Sequence, residues 1–141
     1  MRVVFKYLAG LVFVAVIVQV GLAGIGAFHS VNKNDDGPLA KEKVSDWFGP
    51  HAGLGYLILL LTLLLMIVGF ATRQPRWRNR AAALFGLLVL QVLLAWIGGG
   101  VWALGFLHPI NALVIFTLSG LLAREAWTAD TARAPVAEPA V

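Results

Sequence analysis

Polar and apolar residues along this chain of 141 residues segregate into long blocks rather than alternating at helical or strand spacing. Residues 7–28, 51–72, 81–104 and 109–123 contain no Asp, Glu, Lys or Arg. An apolar helix needs roughly 20 residues to cross a hydrocarbon core, and the first three blocks meet that length. The fourth reaches it by borrowing residues 105–108 or by letting Arg124 snorkel to the interface. The pattern therefore predicts four membrane-spanning helices, over about 7–28, 51–72, 81–103 and 106–125, in a domain covering residues 1–127. They are joined by loops at 29–50 and 73–80. In the first loop, HSVNKNDDGPL is rich in turn formers, and AKEKVSDWFGP predicts a short interfacial helix with Trp47 and Phe48 in the headgroups. Residues 128–141, rich in Ala, Pro and Thr without an apolar period, predict a disordered tail.

Composition agrees with the pattern, with 60% hydrophobic and 13% charged residues. Eight of the eleven Lys and Arg lie at one end of the layout: Arg2, Lys6, Arg73, Arg76, Arg78, Arg80, Arg124 and Arg133. The positive-inside rule makes that end cytoplasmic, so both termini are expected inside and residues 29–50 outside. Orientation accounts for a pI near 10 without nucleic acid as a partner. The basic start and apolar first segment also fit a signal peptide, but Gly24 and Gly26 make a weak cleavage site. With no cysteine, the chain has no disulfide, thiolate metal site, iron-sulfur cluster or covalently attached haem. No carboxylate lies within a span, which removes the usual elements of an ion pump or channel, and no nucleophile-base pair or phosphate loop is present.

The two halves of the chain are similar to each other. FVAVIVQVGLAGIG (13–26) and FGLLVLQVLLAWIG (85–98) are identical at seven of fourteen positions, including Gln19/Gln91 and Gly26/Gly98. Further on, His51 corresponds to His108, Ile58 to Ile115 and Thr62 to Ser119. The order helix, Gln, small residues, outer loop, His, helix occurs twice. Two hairpins repeated in parallel are related by an axis along the membrane normal, which puts His51 and His108 at one depth on opposite sides of that axis. Paired imidazoles facing each other across a bundle can grip a flat macrocycle from both faces. His51 and His108 are thus candidate axial ligands of a haem b, with Gly26 and Gly98 among the glycines that let a ring approach the backbone. The plainer alternative is that these histidines are polar interfacial residues and the glycines are packing surfaces between helices. Gln19 and Gln91, at mid-membrane, make either an interhelical hydrogen bond or a contact to a cofactor. His29, matched by Val101, reads as a solvated helix-end residue, and Thr62 and Ser119 as side chains bonded to their own helices. Pro50 and Pro109 suit helix starts, where the missing N–H is tolerated.

The motif QVxLAxIG followed by His at the start of the next helix, given twice, resembles one four-helix half of the haem A synthase family, over roughly residues 8–125. That resemblance implies haem ligation at the outer face by the histidines of the second and fourth helices, here His51 and His108. The family's catalytic half carries a Glu just before the His on its second helix. DWFGPHAGLGY (46–56) has neither that Glu nor an Arg after the His, so the resemblance extends to the ligating scaffold and not to the haem-modifying reaction. HPINA (108–112) also resembles a motif of uncharacterised small bacterial four-span proteins.

The sequence thus predicts an all-α integral membrane four-helix bundle of two repeated hairpins, in a bacterial inner membrane. Its expected role is haem b binding by bis-histidine ligation near the outer face, for electron transfer or haem handling. Expected partners are the lipid bilayer, a second copy of the chain, and a redox or membrane-complex partner. The alternative is a cofactor-free structural or accessory protein of a larger complex.

Overall fold

The computed structural model describes residues 1–34, 37 and 40–131. Six helices follow in order: α1 (Arg2–Asn34), α2 (Lys41–Trp47), α3 (Gly49–Ala71), α4 (Pro75–Gly100), α5 (Trp102–Gly105) and α6 (Leu107–Thr131). No strand occurs among the described residues. Four of the helices, α1, α3, α4 and the last segment that contains α6, are long and apolar enough to cross a membrane. They form an all-α four-helix bundle.

The long helices pack in a ring, α1 on α3, α3 on α4, α4 on α6 and α6 back on α1, which leaves α1 opposite α4 and α3 opposite α6. Large apolar side chains on the outside, such as Leu11, Ile25, Leu60, Ile67, Leu93 and Leu121, stay exposed. A bundle apolar on its outer as well as its inner surface is suited to lipid and would aggregate in water.

Helix ends differ from the sequence expectation in one consistent way. The stretch RQPRWRNR was expected to be a loop over 73–80, yet α4 begins at Pro75 and the connection is only Thr72–Gln74. Charge marks where a helix leaves the hydrocarbon, not where its hydrogen-bond ladder ends, and Pro is well suited to the first turn. Likewise α1 runs on both sides of 7–28, and α6 continues through Thr131 where a tail was expected from 128. The remainder of the expected disordered tail (132–141) and the loop positions 35, 36, 38 and 39 lie outside the described residues. A short helix, α2, lies within AKEKVSDWFGP, and Pro50 stands in the first turn of α3.

The α3–α4 turn is stitched by Thr72, whose Oγ donates to Gly69 O at 2.8 Å and accepts from the Gln74 N–H at 3.3 Å. Arg73 sits there at φ 57°, a left-handed position usually taken by glycine. The packed core occupies the end of the bundle that carries this turn. Phe5, Ala9, Val12, Leu65, Ala81, Leu84 and Leu122 are buried together there, and Phe5 stacks on Trp77 with ring centres 4.9 Å apart. Glu125 on α6 receives both Arg80 and Arg76 from the start of α4, the latter at 2.9 Å.

Candidate functional site

At the other end of the bundle, side chains give way to a cavity of about 1020 Å³. Ligand pockets run to about 300–1,000 Å³, so this one is at the top of that range. All four long helices line it. The polar groups on its wall include Gln19 of α1, His51 of α3, Gln91 of α4 and His108 of α6. These are the four polar site residues that the two matching halves single out.

Each histidine is held by the helix before it in the same hairpin, through a reciprocal pair of hydrogen bonds. Gln19 Nε2 donates to the His51 backbone oxygen at 2.8 Å, and His51 Nδ1 lies 3.1 Å from the Gln19 backbone oxygen. In the second hairpin Gln91 Nε2 donates to His108 O at 3.0 Å, and His108 Nδ1 lies 3.2 Å from Gln91 O. A carbonyl can only accept, so in both histidines Nδ1 carries a proton, and in the neutral imidazole Nε2 then keeps its lone pair. That is the tautomer a metal-ligating imidazole requires, and a second-sphere carbonyl is the usual way to impose it. Both glutamines thereby make the interhelical bond that a mid-membrane amide needs.

Although α3 and α6 stand on opposite corners of the ring, the two imidazoles meet across the cavity. Their centres are 6.4 Å apart and their planes are inclined by 62°. With metal–imidazole bonds of about 2.0–2.1 Å and a ring centre about 1.1 Å behind the nitrogen, two axial imidazoles on one ion have centres about 6.3 Å apart. Among the described residues no cluster of three or more His, Cys, Asp or Glu exists. A lone ion would therefore find only two protein ligands here, whereas a haem brings four ring nitrogens of its own and needs two more. The residues present fit a haem.

The two clamps differ at their far side. Gln91 Oε1 accepts from Asn111 Nδ2 at 2.7 Å, and the same Nδ2 donates to Leu87 O at 2.9 Å. The position that corresponds to Asn111 in the first hairpin is Leu54, and Gln19 Oε1 is buried without a partner. The Gln19 amide nitrogen also lies 3.4 Å from His51 Nε2, long for a hydrogen bond. Asn111 was not among the residues predicted to form the site. Its signal was its place in HPINA, three residues after His108 and so on the same helix face.

Gly26 and Gly98 occupy corresponding places and do corresponding work. A Cβ on Gly26 would come 3.1 Å from the Phe48 ring, and one on Gly98 only 2.9 Å from Gly105 Cα. Each lets the connection between the two long helices of its hairpin cross close over a helix end. Gly98 also borders the cavity, as does Phe48, which stands edge-on to His51 with ring centres 6.2 Å apart. His29 lies outside, exposed and against Trp47. Thr62 and Ser119, both buried, donate to Leu59 O and Phe116 O of their own helices.

No curated protein and no solved structure matches the chain. A family model described as "Family of unknown function (DUF6220)" matches residues 19–99. The matched stretch begins at Gln19 and includes His51, Gln91 and Gly98, and it ends before His108.

Proposed function

The chain belongs to the DUF6220 family, and on the geometry of its outer cavity we propose that it binds haem b between His51 and His108 and serves in electron transfer or haem handling. The observation that carries this reading is the pair of Nδ1–carbonyl bonds. They fix the ligating tautomer on both imidazoles at a ring separation suited to one shared metal. Bound haem would supply one-electron chemistry. The protein's own contribution is to orient the imidazoles and to exclude water from between them. The matching clamps also support a duplicated hairpin and, with it, kinship to a haem A synthase half. The absence of a carboxylate just before His51 favours ligation over modification of the ring.

The arginines at the packed end support an orientation with both termini cytoplasmic in a bacterial inner membrane and the cavity at the outer face. Gly21, which faces open space on α1, is available for close approach of a second copy. Chemical crosslinking in the membrane reads that contact.

Purification in mild detergent after expression with ample haem tests the central reading. A Soret band that sharpens on reduction, with resolved α and β bands, is the expected result. The clamps would also brace a bundle that holds no cofactor, as expected of an accessory protein of a larger complex. A colourless protein that stays folded and resists haem titration would favour that second reading.

A further inference from the structure

The Gln–His bonds close the gap between the two helices within each hairpin. The two gaps between hairpins, α3–α4 on one side and α6–α1 on the other, are where a ligand edge can reach lipid. Corresponding sequence positions mark the two gaps. Five residues beyond His51 and Gln91 stand Tyr56 and Trp96, and five beyond His108 and Gln19 stand Leu113 and Gly24.

At α3–α4 the gap is barred. Trp96 Nε1 donates to Tyr56 OH at 3.2 Å, and both side chains line the cavity. Against lipid, parting that pair would leave an indole N–H and a phenol hydroxyl without partners, which is costly in hydrocarbon. The α6–α1 gap has no such bar. Phe13 packs on Phe116 with ring centres 5.5 Å apart, and a Cβ on Gly120 would press on Phe13, so these residues mark the facing sides of α1 and α6. Gly24 is eleven residues from Phe13 and Leu113 is seven before Gly120, spacings that return to the same helix face. Gly24 has open space where a side chain would go, with no atom within 4 Å. Leu113 lines the cavity and is 65% exposed, the same as Trp96 on the other side, but as a hydrocarbon side chain it makes no hydrogen bond across its gap.

We propose that the α6–α1 gap at Gly24 and Leu113 is a lateral portal through which a flat amphipathic macrocycle dissolved in the bilayer reaches the histidine pair, the opposite gap being held shut by Tyr56 and Trp96. This rests on the haem reading and adds the route, and with it a ligand supplied from the membrane. Only one side needs to open, because a macrocycle sliding in edge-first passes between the two Nε2 atoms without unfolding either clamp.

The test uses the full chain, freed of haem, in phosphatidylcholine vesicles, with haem delivered from a second vesicle population and the Soret band followed in time. Gly24→Trp puts an indole into the open gap from a position that does not line the cavity. It is expected to slow uptake by about tenfold or more while the final absorbance stays that of the parent, as for a gate outside the ligand shell. Adding Trp96→Gly to that variant opens the other gap and restores the rate. Gly24→Leu, a milder change at a helical position, is expected to slow uptake to a smaller degree. Parent-like rates in both Gly24 variants, with full haem bound at the end, would overturn the portal and leave the haem site standing. A parent chain that never develops the band overturns both.

Discussion

The two ends of this bundle solve the same packing problem in opposite ways. Where α3 turns into α4, facing helices are filled with apolar side chains, stacked rings and a Glu125 gripped by two arginines. Towards the other end the same four helices keep their spacing around a cavity, held by amide and imidazole bonds to backbone carbonyls. In lipid, burial of apolar surface gives little drive for helices to associate, so close packing and hydrogen bonds must do it. The first end uses the former and the second the latter. Directional bonds at the second end fix helix positions without filling the space between them. The comparison separates what holds the protein together from what it offers to a ligand.

The sharpest way to break that comparison is at the histidines. His51→Ala and His108→Ala should each abolish the low-spin haem spectrum entirely, since a six-coordinate iron needs both nitrogens, while His29→Ala leaves it unchanged. Far-UV circular dichroism of the two colourless variants should stay helical; loss of helix in both would mean that the cavity end holds the fold as well.

Leu84→Ala probes the opposite end. Leu84 is fully buried, and truncation should lower stability by about 2 kcal/mol, the low end for such changes because lipid solvates an apolar side chain as well as the core does and only packing is lost. Steric-trap or SDS unfolding reads the loss, and haem absorbance per folded molecule should match the parent.

A smaller effect is expected from exchanging the difference between the clamps. Leu54→Asn offers a donor to the orphaned Gln19 Oε1, and should stabilise by about 0.5–1 kcal/mol, typical of interhelical hydrogen bonds in membranes. Asn111→Leu should cost a similar amount and broaden the electron paramagnetic resonance signal of the bound haem as His108 loosens. Opposite signs for the two changes would show that Asn111 is what makes the second clamp the firmer one. The smallest change is expected at the α3–α4 turn, where Arg73→Gly relieves a left-handed residue and should raise stability by roughly 1 kcal/mol or less, without effect on haem uptake.

Much of the architecture was legible because lipid imposes it. A charge-free run long enough to cross a bilayer has to be helical, as every backbone group must be satisfied within its own segment. The same logic placed Gln19 and Gln91 in interhelical bonds, since an amide at that depth has no water to turn to. Helix ends were not legible, because the arginines of RQPRWRNR report the membrane surface and the helix ladder simply continues through them from Pro75.

By itself the sequence determined four apolar spans and the matching of Gln19 to Gln91 and of His51 to His108 along the chain, and it pointed to Thr62 and Ser119 bonding back to their own helices. What only the tertiary structure decided is how those residues meet. Whether two histidines 57 positions apart face each other at 6.4 Å or point into lipid depends on the rotation of α3 and α6 about their axes. That rotation is set by the long-range bonds from Gln19 and Gln91, by Asn111, and by the close crossings at Gly26–Phe48 and Gly98–Gly105. No local pattern encodes such bonds, because each joins residues from different helices whose relative register exists only once the bundle has closed.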